Sequence, residues 1–115
     1  MPETILFQQK DGIATLTFNN SSRRNALGLL ELEAMETSIG ALSEETRVLI
    51  ITSRDDRTFC SGADLEQILD GSLKGERFQS VTNKIASLPI STIAAINGNV
   101  FGGGMELVLS CDFRI

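Results

Sequence analysis

Hydrophobic and polar positions fall into short, clearly bounded runs along the chain. Residues 5–9 and 13–18 carry the alternation expected of strands, and Lys10-Asp11-Gly12 between them is a hairpin signal. In the second run Ile13, then Leu16 and Phe18, interleave with Ala14, Thr15 and Thr17, which predicts one apolar face. A polar loop over residues 19–24 follows. From Leu29 onward Leu32, Met35, Ile39 and Leu42 recur at spacings of three and four, which predicts an amphipathic helix weakened near its end by Gly40. Residues 47–53 contain Val48-Leu49-Ile50-Ile51, a continuous run that reads as a strand buried on both faces.

Residues 54–64 read as a loop, and Asp64 is placed to cap a short helix through Leu69. A break over residues 70–75 precedes a second amphipathic helix marked by Phe78, Val81, Ile85 and Leu88 and ended by Pro89. Residues 90–96 are the next strand. A glycine-rich turn and a short apolar helix bearing Glu106 follow, and residues 112–115 look like the start of another strand. The predicted order is ββαβααβα and a beginning β, an α/β layered fold. A short apolar strand at the end leaves a sheet edge uncovered, so the expectation is a piece of a longer architecture.

Composition narrows the chemistry. At 115 residues the chain is one domain at most, and its net charge of −5 argues against a nucleic-acid footprint. No apolar run approaches the ~20 residues that a membrane span needs, and the N-terminus lacks the flanks of a signal peptide. Two cysteines, Cys60 and Cys111, are too few for a disulfide framework; the expectation is reduced core thiols in a cytoplasmic protein. Histidine is absent. That removes Ser-His-Asp and Cys-His catalysis and His-based zinc sites, and no metal site is expected.

What remains is carboxylates and backbone N–H groups, and these converge on two glycine-bearing stretches. One is Phe59-Cys60-Ser61-Gly62-Ala63-Asp64, after one buried strand. The other runs from Asn97 to Glu106 and contains Gly102-Gly103-Gly104. A helix starting at the triplet leaves its first N–H groups without intrahelical partners, free to meet an oxygen that gains negative charge. In an open parallel sheet, loops beyond the carboxyl ends of neighbouring strands reach one edge, so the two stretches can share a ligand. The same glycines also suit a tight strand-to-helix crossover. Glu106, among Met105, Leu107, Val108 and Leu109, is then either solvated at the helix end or placed for a purpose.

Phe59-Cys60-Ser61-Gly62-Ala63-Asp64-Leu65 and the stretch from Ile93 through Gly102-Gly103-Gly104-Met105-Glu106-Leu107 to Ser110-Cys111-Asp112 resemble the two signature regions of the crotonase superfamily, the enoyl-CoA hydratases and isomerases. Arg24-Asn25-Ala26-Leu27 resembles its third, earlier motif. The resemblance runs over essentially the whole chain. It implies a crotonase-like spiral of ββα units, incomplete at the C-terminus, with residues 1–115 as the N-terminal part of the domain. It implies an acyl-CoA thioester as substrate, with no separate cofactor, and a homotrimer or hexamer in the full chain. By the same resemblance Ala63 and Gly103 supply the two oxyanion N–H groups and Glu106 is the first catalytic acid. Arg24, Ala26, Ser61, Ala63, Asp64, Leu65 and Gly103 line the coenzyme A path. The reaction implied first is hydration of a 2-enoyl-CoA; double-bond isomerisation, decarboxylation and an inactive acyl-CoA-binding piece are the alternatives. One departure is Glu66, an acid where some hydratases place a lysine beside the coenzyme.

Overall fold

The computed structural model describes residues 3–115. Its elements in chain order are β1 (Ile5–Lys10), β2 (Ile13–Phe18), α1 (Leu29–Gly40), β3 (Val48–Ser53), β4 (Thr58–Cys60), α2 (Leu65–Asp70), α3 (Gly75–Ala86), β5 (Ser91–Ala94), β6 (Asn99–Val100), α4 (Gly103–Ser110) and β7 (Phe113–Arg114). A short 3₁₀ turn, Ser21–Arg23, lies in the loop after β2. Two strands and then helix recur three times before β7. This is the ββα spiral that the motif resemblance implies.

A five-stranded sheet has the order β1-β2-β3-β5-β7, antiparallel between β1 and β2 and parallel thereafter. The hairpin turns on Asp11 and Gly12, both at positive φ, as a two-residue turn matched to strand twist requires. A second, two-stranded parallel sheet pairs β4 with β6. The periodicity reading placed β4 inside a loop and missed β6. Each is two or three residues long, too short for alternation to register.

Two expectations about faces are corrected. Ile13 points away from Leu16 and Phe18, as the period of two demands, and is exposed; the buried face of β2 is Ala14, Leu16 and Phe18. β3 is not buried equally on both sides: Leu49, Ile51 and Ser53 are buried, while Val48, Ile50 and Thr52 are half-covered.

The core joins these faces to Leu32 and Met35 of α1, Phe78, Val81 and Ile85 of α3, and Leu107 and Val108 of α4. The rings of Phe18 and Phe59 meet edge to face at 5.4 Å, which fixes β4 against the end of β2. Helix α3 is tied to α1 by Glu36, whose carboxylate receives both Arg77 and Lys84. The start of α1 is satisfied from two sides: Glu31 Oε1 accepts from the Gly28 N–H at 2.9 Å, and Gln67 Oε1 of α2 accepts from the Leu29 N–H at 2.8 Å.

Candidate functional site

The loop after β4 is held open by a single rung of parallel ladder. Leu27 bridges Ala63: the Leu27 N–H donates to Gly62 O at 2.8 Å, and the Asp64 N–H donates to Leu27 O at 2.9 Å. In such a rung the residues flanking the bridged position make the bonds, so the N–H of Ala63 itself faces the opposite side. It meets no acceptor among the described residues. Gly103 is the first residue of α4, and its N–H is likewise without a partner among the described residues, as the first turn of a helix requires.

The two amides are neighbours. The position a Cβ would take on Gly103 lies 3.5 Å from the Ala63 nitrogen. With ordinary backbone dimensions the two nitrogens are therefore no more than about 6 Å apart. Two N–H groups that each hold one oxygen at about 2.9 Å can be separated by up to about that distance. The separation of the two nitrogens is thus compatible with one shared acceptor, and the partial positive charge of the α4 N-terminus lies beside them.

The approach depends on small residues. A Cβ on Gly62 would lie 2.6 Å from Gly103 N, and Gly62 also sits at φ +91°. A Cβ on Gly104 would lie 2.5 Å from Cys60 O, so the second residue of α4 packs directly on β4. The ring of Phe78 covers Gly103 from α3, with its Cζ 3.1 Å from where a Cβ would stand.

Glu106 lies three residues after Gly103 and so on the same side of α4, its Cβ leaning back toward the helix start. It is exposed, together with Met105 and Leu109; the buried side of α4 is Gly104, Leu107 and Val108. The expected cost of placing this acid on an apolar helix is therefore not incurred here, because the helix turns it to the open face.

Arg24, Ala26, Ser61, Ala63, Asp64 and Leu65 line one cleft of about 600 Å³, along with Ser22, Arg23 and Glu66. The structure thus gathers the residues expected on the coenzyme path apart from Gly103, which does not line this cleft but lies against the Ala63 nitrogen. Their chemistry differs. Asp64 is buried and caps α2, accepting from the Gln67 N–H at 3.3 Å. Its other oxygen receives Arg23 at 3.0 Å, so this side chain is already engaged. Arg24 is exposed, at φ +55°. Glu66 is open to solvent, and the Arg23 guanidinium that pairs with Asp64 stands 3.6 Å from it; solvent exposure, more than this shared cation, screens the repulsion expected toward an anionic ligand.

Sequence reasoning gave Arg23 no role and named Asn25 only as a member of the third motif. Nothing in a polar loop of two arginines distinguishes the one that pairs with Asp64. Asn25 had a faint signal, a turn-forming residue beside a small one, but its buried hydrogen bonds join segments distant in sequence. The thiols are core residues: burial pushes Cys60 up to about 12 and Cys111 up to about 11, so neither is a ready nucleophile.

Residues 8–115 match the family described as enoyl-CoA hydratase/isomerase. The chain is 38% identical to a mitochondrial methylglutaconyl-CoA hydratase of Mus musculus, over 96% of the chain and 37% of that protein. It is 31% identical to a short-chain-enoyl-CoA hydratase of Clostridium acetobutylicum, over 96% of the chain and 45% of that protein. It superposes on the crystal structure of an enoyl-CoA hydratase from Bacillus anthracis with a TM-score of 0.79 at 31% identity, covering 97% of the chain and 46% of that structure. The chain therefore spans less than half the length of these relatives.

Proposed function

The chain belongs to the enoyl-CoA hydratase/isomerase family, and from that membership we propose that its two facing amides, Ala63 and Gly103, hold the thioester oxygen of an acyl-CoA as it becomes an enolate. The observation that carries this reading is the approach of two unpartnered N–H groups, from separate loops, to within reach of one oxygen. Donors of this kind are each worth ~10²–10³ in rate, because they are aimed before charge develops.

The reaction favoured is addition of water to a 2-enoyl-CoA. The water oxygen bonds to the β-carbon as Glu106 takes its proton. The electron pair of the double bond moves through the α-carbon onto the thioester oxygen between the two amides. The enolate then collapses as a proton arrives at the α-carbon, from Glu106 or from a second acid. The cleft of Arg24, Ala26, Ser61, Asp64 and Leu65 would carry the coenzyme, mostly along backbone. Arg24, whose side chain is exposed at its rim, would meet a phosphate.

Double-bond isomerisation is the second reading. It needs the same enolate and one group that moves a proton between two carbons, and Glu106 is the exposed acid on the helix that carries one amide. The test is to give the full chain crotonyl-CoA and, separately, a 3-enoyl-CoA. Loss of the conjugated absorbance with the first supports hydration; its gain with the second supports isomerisation. Neither change, together with no binding of acetyl-CoA, would sink the assignment.

A further inference from the structure

We propose that Asn25 is a positioning residue for the Ala63 amide, an inference that rests on the oxyanion reading above. Asn25 is buried at 1% exposure and sits at φ +56°. Its side-chain oxygen accepts from the Asn20 N–H at 2.8 Å, and its own N–H donates to Asn20 O at 2.9 Å, closing the loop over residues 20–25 on itself. Its amide NH₂ donates to Ser53 Oγ at 2.8 Å, at the end of β3, and to Thr58 O and Phe59 O at 3.0 Å each, on β4. One side chain therefore ties three separate segments together in a place where water does not reach.

Two routes lead from it to the site. Along the chain, Asn25 fixes the segment whose Leu27, two residues later, makes the rung that turns the Ala63 N–H outward. Across space, the Asn25 carbonyl receives the Cys60 thiol at 3.7 Å, and Cys60 Sγ accepts from the Gly62 N–H at 3.4 Å, one residue before Ala63. The left-handed backbone at Asn25 is a conformation that asparagine tolerates better than other side-chain-bearing residues. Its strain is held by the four side-chain hydrogen bonds around it.

Asn25→Asp is the sharp test. It keeps size and backbone preference but replaces the donor with an oxygen facing three oxygens. Asn25→Gly keeps the positive φ and deletes the amide. Both are made in the full chain and read three ways: turnover of crotonyl-CoA, affinity for free coenzyme A, and the infrared stretch of carbonyl-labelled acetyl-CoA when bound. The wild-type protein is expected to lower the carbonyl frequency below that in water. In the folded variants the shift is expected to disappear and kcat to fall about a hundredfold, a larger loss than any in affinity for free coenzyme A, whose cleft residues Arg24 and Ala26 flank Asn25. A folded variant that retains the shift and kcat overturns the proposal, since a purely structural asparagine would alter melting alone. If the wild-type protein itself leaves the carbonyl unshifted, the oxyanion reading fails and takes this inference with it. Should Asn25→Asp not fold, Asn25→Gly and Ser53→Ala, a smaller lesion in the same network, are read by the same criteria.

Discussion

A β-carbon on Gly62 would stand 2.6 Å from the amide nitrogen of Gly103, which makes the two glycine-bearing loops one mechanical unit. Gly62→Ala has no room, and the positive φ at residue 62 disfavours any side chain. The expected cost is at least ~2 kcal/mol of stability, because both strain and overlap act on backbone that cannot yield like a flexible side chain. Gly104→Ala separates the two causes. It meets Cys60 O at 2.5 Å but lies in ordinary helical backbone. Thermal melts of both variants should show both destabilised; a Gly62→Ala protein that melts like wild type would mean that the loops do not pack this tightly.

Glu106 offers the opposite signature. Its side chain is exposed and accepts no hydrogen bond among the described residues, so Glu106→Gln should change stability by less than about 0.5 kcal/mol. As the proposed proton acceptor, it should lower kcat on crotonyl-CoA by ~10²–10⁴ with little effect on acyl-CoA affinity. Steady-state kinetics beside a melt would separate these outcomes; wild-type kcat in the variant would remove Glu106 from the chemistry.

The sequence carried the fold where its signals were long and lost it where they were short. β2, β3 and α3 announce themselves through Leu16 and Phe18, Leu49 and Ile51, and Phe78, Val81 and Ile85, each repeated at the period of its element. β4 and β6 do not, since three and two residues cannot display a period. Yet these strands bring the two glycine loops together, through Cys60 O accepting from the Phe101 N–H at 3.1 Å and the Gly104 backbone packed against it. The motifs therefore marked the amides of Ala63 and Gly103 more clearly than the strands that place them. What Asn25 and Arg23 bond to stayed hidden for another reason. Their partners, Ser53 and Asp64, are 28 and 41 residues away, and no local pattern encodes such a pairing.

The bridge between α1 and α3 predicts an acid-sensitive step. Hydrogen bonding from Lys84 first, then the guanidinium of Arg77, holds the Glu36 carboxyl below its ordinary 4.5, against partial burial that pushes the other way. A carboxyl whose pKa falls on folding contributes stability above its unfolded value and loses it as pH drops through the folded one. Stability of the wild-type protein should therefore decline below about pH 4.5 in part through this residue. Glu36→Gln should be less stable at neutral pH by about 1 kcal/mol, since both partners are partly solvated. The gap between the two proteins should close as pH falls. Denaturant titrations at several pH values measure it; a gap that is constant from neutrality to acid would show that the bridge contributes nothing.

The buried thiols set a final test that needs no substrate. Burial holds the Cys60 thiol near 12, only partly offset by the Gly62 N–H that donates to its sulfur, and the Cys111 thiol near 11, against an ordinary 9.0. At pH 8 both thiols are then far less ionised than a cysteine of the unfolded chain. Alkylation by iodoacetamide should be much slower in the folded protein at both cysteines, through low ionisation and burial together. Both should label rapidly in denaturant. Because Cys60 Sγ lies between Asn25 O and the Gly62 N–H, its labelling rate also reports opening of the loop that carries Gly62 and Ala63. Asn25→Gly should raise the rate at Cys60 and leave Cys111, on α4's far end, unchanged. Peptide mass mapping after timed alkylation resolves the two sites, and equal acceleration at both would indicate global loosening instead of a local hinge.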